Sequence, residues 1–212
     1  MTLRKYIASL IVVASALPLV ALADDNGIVY TQISTTGLGL GYGKSMDKDW
    51  AVRGQFNYFK QSYSGNVSNF GPNAVLEAKV DWSSLQVLAD WYPSERGFRL
   101  TGGLVLNNNK ITIAGNGTVG NTANVTVNGE IKMSDGISPY LGLGYSTRPK
   151  DAKGFGVNFD LGVMFQEPKV SLTATGNGVT QADIDAQKAL MQDAVKDLKN
   201  YPVVGLGISY AF

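Results

Sequence analysis

The chain has 212 residues, with 18 lysine and arginine residues against 17 aspartate and glutamate residues, and it contains neither histidine nor cysteine. The length fits one domain, and the near-neutral balance gives no basic footprint for nucleic acid. The missing residue types exclude a disulfide framework, a zinc site with histidine or cysteine ligands and a Ser-His-Asp active site, so we expect no enzymatic activity, no metal and no cofactor.

The first 23 residues are predicted to be a cleaved signal peptide. Arg4 and Lys5 form a short positive region, Tyr6–Leu19 is apolar, and an A-x-A cleavage site ends at Ala23. The apolar run is shorter than the ~20 residues that a transmembrane helix needs. If the mature chain, residues 24–212, lies in a membrane, it is therefore expected to cross as a closed barrel.

Alternation with a period of two predicts strands along the mature chain. The predicted strands are Gly27–Ser34, Gly37–Gly43, Trp50–Lys60, Leu76–Trp91, Phe98–Ile113, Glu130–Tyr145, Phe155–Phe165 and Val203–Phe212. The first of them is needed to make the count even, and its loop to the next strand must be tight. Short turns alternate with the longer polar loops Gln61–Ala74 and Ala114–Asn128, which is typical of outer-membrane barrels. The second of these segments could instead be a flexible extension of its strands. The predicted fold is all-β, an eight-stranded antiparallel transmembrane up-and-down β-barrel.

A change of parity interrupts one of these strands. Within Leu76–Trp91 the apolar residues occupy even positions as far as Trp82 and odd positions from Leu85 onwards. One extra residue in a strand produces such a change, so the pattern predicts a β-bulge at Ser83 and Ser84.

The last strand gives the clearest membrane signal. Its even positions are apolar or aromatic and end in Ile208, Tyr210 and Phe212, whereas its odd positions are small. This suits a barrel with lipid outside and crowded side chains inside. A chain that ends on an aromatic residue in this register also looks like the signal that the barrel assembly machinery reads in bacteria. The alternative is an edge strand of a soluble sheet, but an exposed hydrophobic edge strand would favour aggregation.

Polar residues on the opposite faces of the strands are predicted to line the lumen. They are Arg53, Gln55, Asn57, Glu77, Lys79, Asp81, Asp90, Arg99, Asn158 and Asp160. Both signs of charge are present, and buried charges must pair. The set could form a salt-bridged plug, or a polar path or pocket for a small zwitterion. Paired carboxylates that could serve catalysis occur only outside the lumen, in a turn (Asp47 and Asp49) or on a helix (Asp183 and Asp185).

One helix is predicted at Thr180–Lys199, in the last external loop. Thr180 and Asp183 form a start that resembles a capping box. Its apolar stripe consists of Ile184, Met191, Ala194, Val195 and Leu198. The helix could brace the barrel rim or act as a lid over the mouth.

Two sets of patches resemble known families. Leu85-x-x-Leu88-Ala89-Asp90-Trp91-Tyr92-Pro93 and Gly97-Phe98-Arg99-Leu100-x-Gly102-Gly103 resemble the central hairpin of OmpW-like outer-membrane proteins. The carbapenem-associated, CarO-type proteins are similar in Gly129-x-x-x-Met133, Ile137-x-Pro139-Tyr140-Leu141-Gly142-x-Gly144, Pro168-Lys169-Val170-x-Leu172-Thr173 and Gln192-Asp193-Ala194-Val195. The resemblance implies an eight-stranded barrel with a narrow or blocked lumen. It also implies passage or binding of small molecules, including basic amino acids for the CarO type.

The function expected from these observations is that of a non-enzymatic barrel in the bacterial outer membrane that binds or slowly passes small solutes, amino acids among the candidates. The alternative is a structural or surface-interaction barrel with a closed, salt-bridged lumen, whose two long polar loops make the contacts. The expected partners are outer-membrane lipids, the barrel assembly machinery during insertion and a small solute. No nucleic acid is expected among them.

The terminal aromatic residue provides a first test. We expect Phe212→Ala to weaken insertion, because it deletes the last member of the lipid-facing row. The inserted barrel should migrate anomalously on an unheated gel, and the variant should show less of this form. Recovery of the unmodified protein from the soluble periplasm, folded and without heat modifiability, would contradict the barrel.

Overall fold

The structure, a computed structural model, describes residues 27–66, 75–94, 97–119, 122–147 and 153–212. The predicted signal peptide lies outside the described residues. Within these ranges the strands are β1 (Gly27–Ser34), β2 (Gly37–Ser45), β3 (Trp50–Asn66), β4 (Val75–Trp91), β5 (Phe98–Asn107), β6 (Lys110–Val119), β7 (Thr122–Lys132), β8 (Gly136–Ser146), β9 (Gly154–Phe165), β10 (Lys169–Thr175) and β11 (Asn200–Ala211). Helix α1 spans Gln181–Ala194, and a short 3₁₀ helix follows at Lys196–Lys199.

Eight of the strands close into an antiparallel barrel. The order around the wall is β1, β2, β3, β4, β5, β8, β9 and β11, and β11 returns to β1. The strand that the even count required at Gly27–Ser34 is therefore present, and only Thr35 and Thr36 join it to β2. The N–H of Phe212 donates to the carbonyl of Gly27 at 3.1 Å, which fastens the two ends of the described barrel together. The predicted eight-stranded barrel is confirmed.

Three barrel strands continue beyond the barrel as β6, β7 and β10. Both β5 and β6 pair with β4 in one unbroken register, separated only by Asn108 and Asn109. Similar short breaks separate β7 from β8 and β9 from β10. The outer parts of β3 and β4 join them in an extension sheet ordered β3, β4, β6, β7, β10. We call this side of the barrel the extension end, and the side with the short turns and Phe212 the turn end.

The extension sheet includes parts of the two segments that the sequence predicts as polar loops. The loop predicted at Gln61–Ala74 is wrong for residues 61–66, whereas residues 67–74 lie outside the described residues, and Ala114–Asn128 follows its second alternative, a strand extension. Residues 61–66 belong to β3, and the described part of 114–128 belongs to β6 and β7. The Asn, Gly and Thr residues there have the composition of a loop. However, the alternate residues Val119, Val125 and Val127 are buried beneath α1, and this burial holds the segment in the sheet.

The predicted β-bulge in β4 is also wrong. The pairing of β3 with β4 runs without a register shift from Trp50↔Trp91 to Asn66↔Val75. The apolar positions change parity because the environment changes, since Leu85 and Val87 face outward on the barrel. Farther along the strand the outward side carries charge and the apolar residues face inward.

The outer wall of the barrel is an apolar belt. Its exposed members include Leu38, Leu40, Val52, Phe56, Leu85, Val87, Leu100, Leu104, Leu106, Ile137, Leu141, Leu143, Val157, Leu161, Val204, Leu206 and Ile208. From Trp50 to Tyr58 the belt covers eight residue steps, roughly 26 Å along the strand. With the strand tilt of membrane barrels this corresponds to roughly 20 Å of height, somewhat less than the ~25 Å apolar band of such barrels. The barrel therefore has the surface that lipid requires.

None of the helices in the described ranges is long and apolar enough to cross a membrane.

Helix α1 lies against the inner face of the extension sheet. Thr180 caps its first turn, and a full capping box with Asp183 is present, as the sequence predicts. The side chains that pack on β6, β7 and β10 are Ile184 and Met191 from α1 and Val195 and Leu198 from the residues that follow it. The helix predicted over Thr180–Lys199 is thus an α-helix only as far as Ala194 and ends in a 3₁₀ turn. Four of the five residues of the predicted stripe make these packing contacts, whereas Ala194 is exposed. Their partner, the extension sheet, is not predicted by the sequence, because the composition of residues 114–128 does not distinguish a loop from a strand extension.

The helix also covers the end of the outermost strand. The side chain of Gln192 donates to the carbonyl of Pro168 at 2.8 Å and accepts from the N–H of Val170 at 3.0 Å. These bonds satisfy backbone groups of β10 that have no neighbouring strand, so α1 protects a sheet edge. These contacts of α1 stabilise the extension sheet, so they favour a bracing role for the helix.

The capping box predicts a pH dependence of the helix. Hydrogen bonds from the side chain and backbone of Thr180 lower the pKa of the Asp183 carboxyl group. A carboxyl group with a depressed folded-state pKa stabilises the folded form above its unfolded pKa of ~3.9, and this stabilisation is lost as the pH falls through the folded value.

We therefore expect Thr180→Ala to speed amide exchange in the first turn of α1 at neutral pH. In the unmodified protein, amide protection in this turn should fall further as the pH drops below about 4, and in Thr180→Ala this additional fall should be smaller. Thr175→Ala, an exposed change on β10, is the matched control and should alter neither. Equal protection in Thr180→Ala and the unmodified protein would contradict the role of the cap.

Candidate functional site

Inward-facing glycines make room for long side chains in the lumen. A Cβ added to Gly41 would lie 2.2 Å from the ring of Tyr30, and one on Gly144 would lie 2.6 Å from the guanidinium carbon of Arg99. In the same way, a Cβ added to Gly162 on β9 would lie 2.4 Å from the hydroxyl of Tyr140 on β8. Small residues on one strand therefore allow a large side chain from its neighbour to lie flat across the lumen.

Four charged side chains from β3, β4, β5 and β9 meet in the part of the lumen near the turn end. Arg53 forms a two-pronged pair with Asp90, in which Nε bonds Oδ2 and Nη2 donates to Oδ1 at 3.0 Å. Arg99 donates from Nη2 to Asp160 Oδ1 at 2.6 Å, and Arg53 Nη2 lies 3.4 Å from the same oxygen. Thr101 adds a hydrogen bond to Asp90 Oδ1 at 2.6 Å. We call Arg53, Asp90, Arg99 and Asp160 the charge layer.

The charge layer is closed to water. The side chains of Asp90 and Arg99 are 0% and 4% exposed, and those of Asp160 and Arg53 are 7% and 8% exposed. Two positive and two negative charges cancel, as burial requires. A wide water-filled lumen would leave these groups solvated, so this layer blocks the barrel.

A second, apolar layer lies next to the charge layer, towards the extension end. It consists of Leu88, Val105, Tyr140, Met164 and Val203, each from a different strand. The side chains of Val105 and Met164 are 0% and 1% exposed. An ion that passed the charge layer would therefore meet packed apolar side chains.

A third layer, of amides and hydroxyls, lies beyond the apolar one. Asn57 donates to Ser84 at 3.2 Å, and Asn107 donates to Gln166 at 2.9 Å. Gln166 in turn donates to the carbonyl of Leu198 at 2.9 Å, in the 3₁₀ helix that follows α1. The lumen and the helix segment are thus joined by one hydrogen-bonded chain.

Three buried polar atoms in the lumen have no hydrogen-bond partner among the described residues. They are the hydroxyl of Tyr30, Oε1 of Gln32 and Nε of Arg99. The ring of Tyr30 lies 5.5 Å from the guanidinium of Arg53, within the range of a cation–π contact. Arg99 Nε nevertheless lies 3.7 Å from Asp90 Oδ1, within ion-pair distance. Buried polar groups without any partner are costly, so the hydroxyl of Tyr30 and Oε1 of Gln32 mark places where water or a small polar solute would be stabilised.

Seven of the ten predicted lumen residues face inward and are buried. They are Arg53, Gln55, Asn57, Asp90, Arg99, Asn158 and Asp160. Of these, Asn158 does not join the charge layer. The expected pairing of the two arginines with Asp90 and Asp160 is present in the structure.

The other three predicted lumen residues lie elsewhere. Glu77, Lys79 and Asp81 are on the outward face of β4 in the extension sheet, and their side chains are between one third and about half exposed. Lys79 pairs with Glu77 at 3.4 Å, and Asp81 pairs with Lys60 at 3.4 Å. The prediction assumed lipid on the apolar side of this segment. In the extension sheet the apolar side instead faces inward.

Several lumen residues were missed by the sequence reading. Tyr30, Leu88, Val105, Tyr140 and Met164 are large and apolar or aromatic, so such residues were expected to face lipid. The available signal was strict alternation, because each of them lies two residues from a charged, polar or small residue that marks the inward face of its strand.

The proposed assembly signal lies at the outer surface of the turn end. Ile208 and Tyr210 are exposed, and the ring of Tyr210 lies 5.5 Å from that of Phe212 and 4.9 Å from that of Phe155. This places an aromatic cluster at the edge of the apolar belt. Recognition by the assembly machinery stays a prediction.

Comparison with known proteins gives the fold. No protein-family model matches the sequence, and no curated protein matches it. The crystal structure of Acinetobacter baumannii CarO matches with 21% sequence identity, a TM-score of 0.57 and coverage of 88% of this chain and 97% of that one. The structure of A. baumannii CarO2 matches with 19% identity, a TM-score of 0.61 and coverage of 88% and 99%. The chain therefore has the CarO-type barrel fold, as the sequence resemblance implied.

The charge layer predicts a large coupling between Arg99 and Asp160. Removal of one partner leaves a buried unpaired charge, so Arg99→Ala should cost about 3–5 kcal/mol of unfolding free energy. Lys188→Ala, an exposed change on α1, is the control and should stay within about 0.5 kcal/mol.

A double-mutant cycle with Asp160→Ala separates pairing from packing. The double variant should lose clearly less than the sum of the two single variants, because no charge is then left alone at this pair. The measurement is reversible denaturant unfolding in lipid or detergent. Additive losses would mean that Arg99 and Asp160 act independently.

Proposed function

We propose that this protein is a non-enzymatic barrel of the bacterial outer membrane whose lumen is closed, and that it acts through its extension sheet and helix. The observation that carries the proposal is the buried charge layer next to the packed apolar layer. The apolar belt and the CarO-type fold support the membrane location.

The two layers oppose passage in different ways. Water or an ion entering from the turn end must separate Arg53 and Arg99 from their carboxylates, which are stabilised only as pairs. An ion that reaches the apolar layer loses its hydration without gaining a partner, and the free-energy cost of this is high. A barrel of eight strands is only just wide enough to be filled by side chains. A permanently open pore is therefore disfavoured.

The extension end is the part of the molecule that is free to meet other molecules. Its sheet is braced by α1 on the inner face, and its outer face is polar. It carries alternating charges on β4, and both neutral Asn and Thr residues and the charged Glu130 and Lys132 on β7. The contacts are therefore expected on a rigid surface rather than on the two loops that the sequence suggested.

A second candidate function is the binding or slow passage of small zwitterions such as amino acids. The observation that favours it is the pair of buried polar atoms on Tyr30 and Gln32 that have no hydrogen-bond partner among the described residues. They lie beside charges of both signs, which could bind an ammonium and a carboxylate. Passage would then require the charge layer to rearrange, which accounts for a slow rate.

Planar-bilayer conductance tests the first proposal against the second. The inserted protein should show no steady ion conductance above the bare bilayer, because both layers are closed. Stable open steps in the unmodified protein would overturn the closed lumen. Heat modifiability on a gel should confirm that the barrel has inserted.

Uptake of labelled amino acids into protein-containing vesicles tests the second candidate directly. If Tyr30 binds the solute, Tyr30→Phe should lower uptake, and Tyr42→Phe, at an outward position on β2, should not. Uptake no faster than in protein-free vesicles would remove this candidate and leave the surface role.

A further inference from the structure

The outward face of the extension sheet carries a straight row of lysines. The strand register places Lys60 opposite Asp81, Asp81 opposite Lys110, Lys110 opposite Lys132, and Lys132 opposite Lys169. These five positions cross all five strands of the sheet at one level. We call the four cations, Lys60, Lys110, Lys132 and Lys169, the lysine row.

The lysine row lies just beyond the apolar belt. On β3 the last strongly apolar outward pair is Phe56 and Tyr58, and the next outward residue is Lys60. On the β5–β6 line, Leu106 is exposed in the belt, and Lys110 follows four residues later. Four residues cover roughly 13 Å along a tilted strand, or about 10 Å of height.

This height matches the polar zone of a membrane. The polar headgroup layer adds roughly 5–8 Å on each side of the hydrocarbon core. Lysine side chains near that boundary extend towards it with their charged ends in the polar layer. The ammonium groups of the row can therefore reach lipid headgroups.

The charges within the row are incompletely balanced. Lys60 lies 3.4 Å from Asp81, Lys132 lies 3.7 Å from Glu130 on the same strand, and Lys169 pairs with Asp135. In the described part of the chain, Lys110 has no ion-pair partner. Like charges directly opposite each other on neighbouring strands destabilise a sheet, and Lys110, Lys132 and Lys169 are three such neighbours.

An anion would relieve this repulsion. The side chains of Lys60, Lys132 and Lys169 are 56%, 61% and 56% exposed, so their ion pairs are weak and can exchange for another anion. Neighbouring strands are about 4.8 Å apart, which allows one phosphate group to contact two ammonium groups of the row.

We propose that the lysine row binds the phosphate groups of anionic lipid headgroups in the leaflet at the extension end. The inference rests on the membrane position given under the proposed function. A lipid is favoured over free phosphate because the row faces outward directly above the lipid-facing belt. The row would fix the height of the barrel in the membrane and hold a shell of phosphorylated lipid around the extension sheet.

The test compares lipid binding by the full chain in detergent micelles, measured by native mass spectrometry. The probe is a bisphosphorylated glucosamine lipid, with the same lipid after removal of its phosphates as the reference. Lys110→Gln combined with Lys132→Gln should weaken binding of the phosphorylated lipid roughly 10- to 30-fold, because each cation near an anionic surface contributes about a fivefold step or slightly less.

Lys79→Gln combined with Lys188→Gln is the matched control, since it removes the same charge outside the row. This control should bind like the unmodified protein, and raised salt should weaken binding in both. Equal binding of both lipid forms, or equal loss in both double variants, would overturn the inference.

Two further outcomes distinguish a site for free phosphate from a site for lipid, and a failure of the lysine-row proposal from a failure of the membrane barrel. If inorganic phosphate competes at equal concentration and the lipid form shows no advantage, the row is a site for free phosphate and the lipid assignment is wrong. If the protein does not insert into vesicles and shows no heat modifiability, the membrane barrel itself fails, which is distinguishable from loss of phosphate preference in an inserted barrel.

Discussion

The pairing of four buried charges inside a narrow barrel is the constraint on which the rest of the structure depends. Arg53, Asp90, Arg99 and Asp160 come from four strands, and none is stable in the lumen without the others. Because side chains alternate between faces, a slip of one residue in any of these strands would turn a charge towards lipid. The network therefore fixes the strand register while it closes the lumen. The apolar layer extends this closure towards the extension end.

Side chains alternate in the same way along the whole of each strand, but the outward face is apolar within the membrane and charged beyond it. Along β4, Leu85 and Val87 face outward, whereas Asp81 and Lys79 occupy the same outward face farther along the strand. The strand does not change its geometry between them, and only its surroundings change. Beyond the belt, the apolar residues face inward, and α1 packs on them and shields them from water. The helix and the extension sheet are therefore a single unit in which each stabilises the other.

The sequence predicted the parts of the molecule whose environment was unambiguous. Strong alternation in the last strand, the tight first hairpin and the capping box of α1 gave the barrel and the helix directly. The charge layer followed because charged residues at inward positions must pair. The prediction failed where one rule, apolar residues outward, was applied beyond the membrane. It placed Glu77 in the lumen and left Tyr140 out of it. Residues 114–128 stayed undecided between a loop and a strand extension, because the burial of Val125 by α1 is a tertiary effect that composition does not show.

The absence of cysteine from the chain allows a direct measurement of the closed lumen. A single cysteine at Val105→Cys lies in the apolar layer, and one at Ser62→Cys lies on the exposed outward face of β3. In membrane vesicles, the cysteine at position 62 should react quickly with a small charged thiol reagent, and the one at position 105 should stay unreactive when the reagent is added to either side. Reaction at position 105 as fast as at position 62 would show a water-filled lumen and contradict the account.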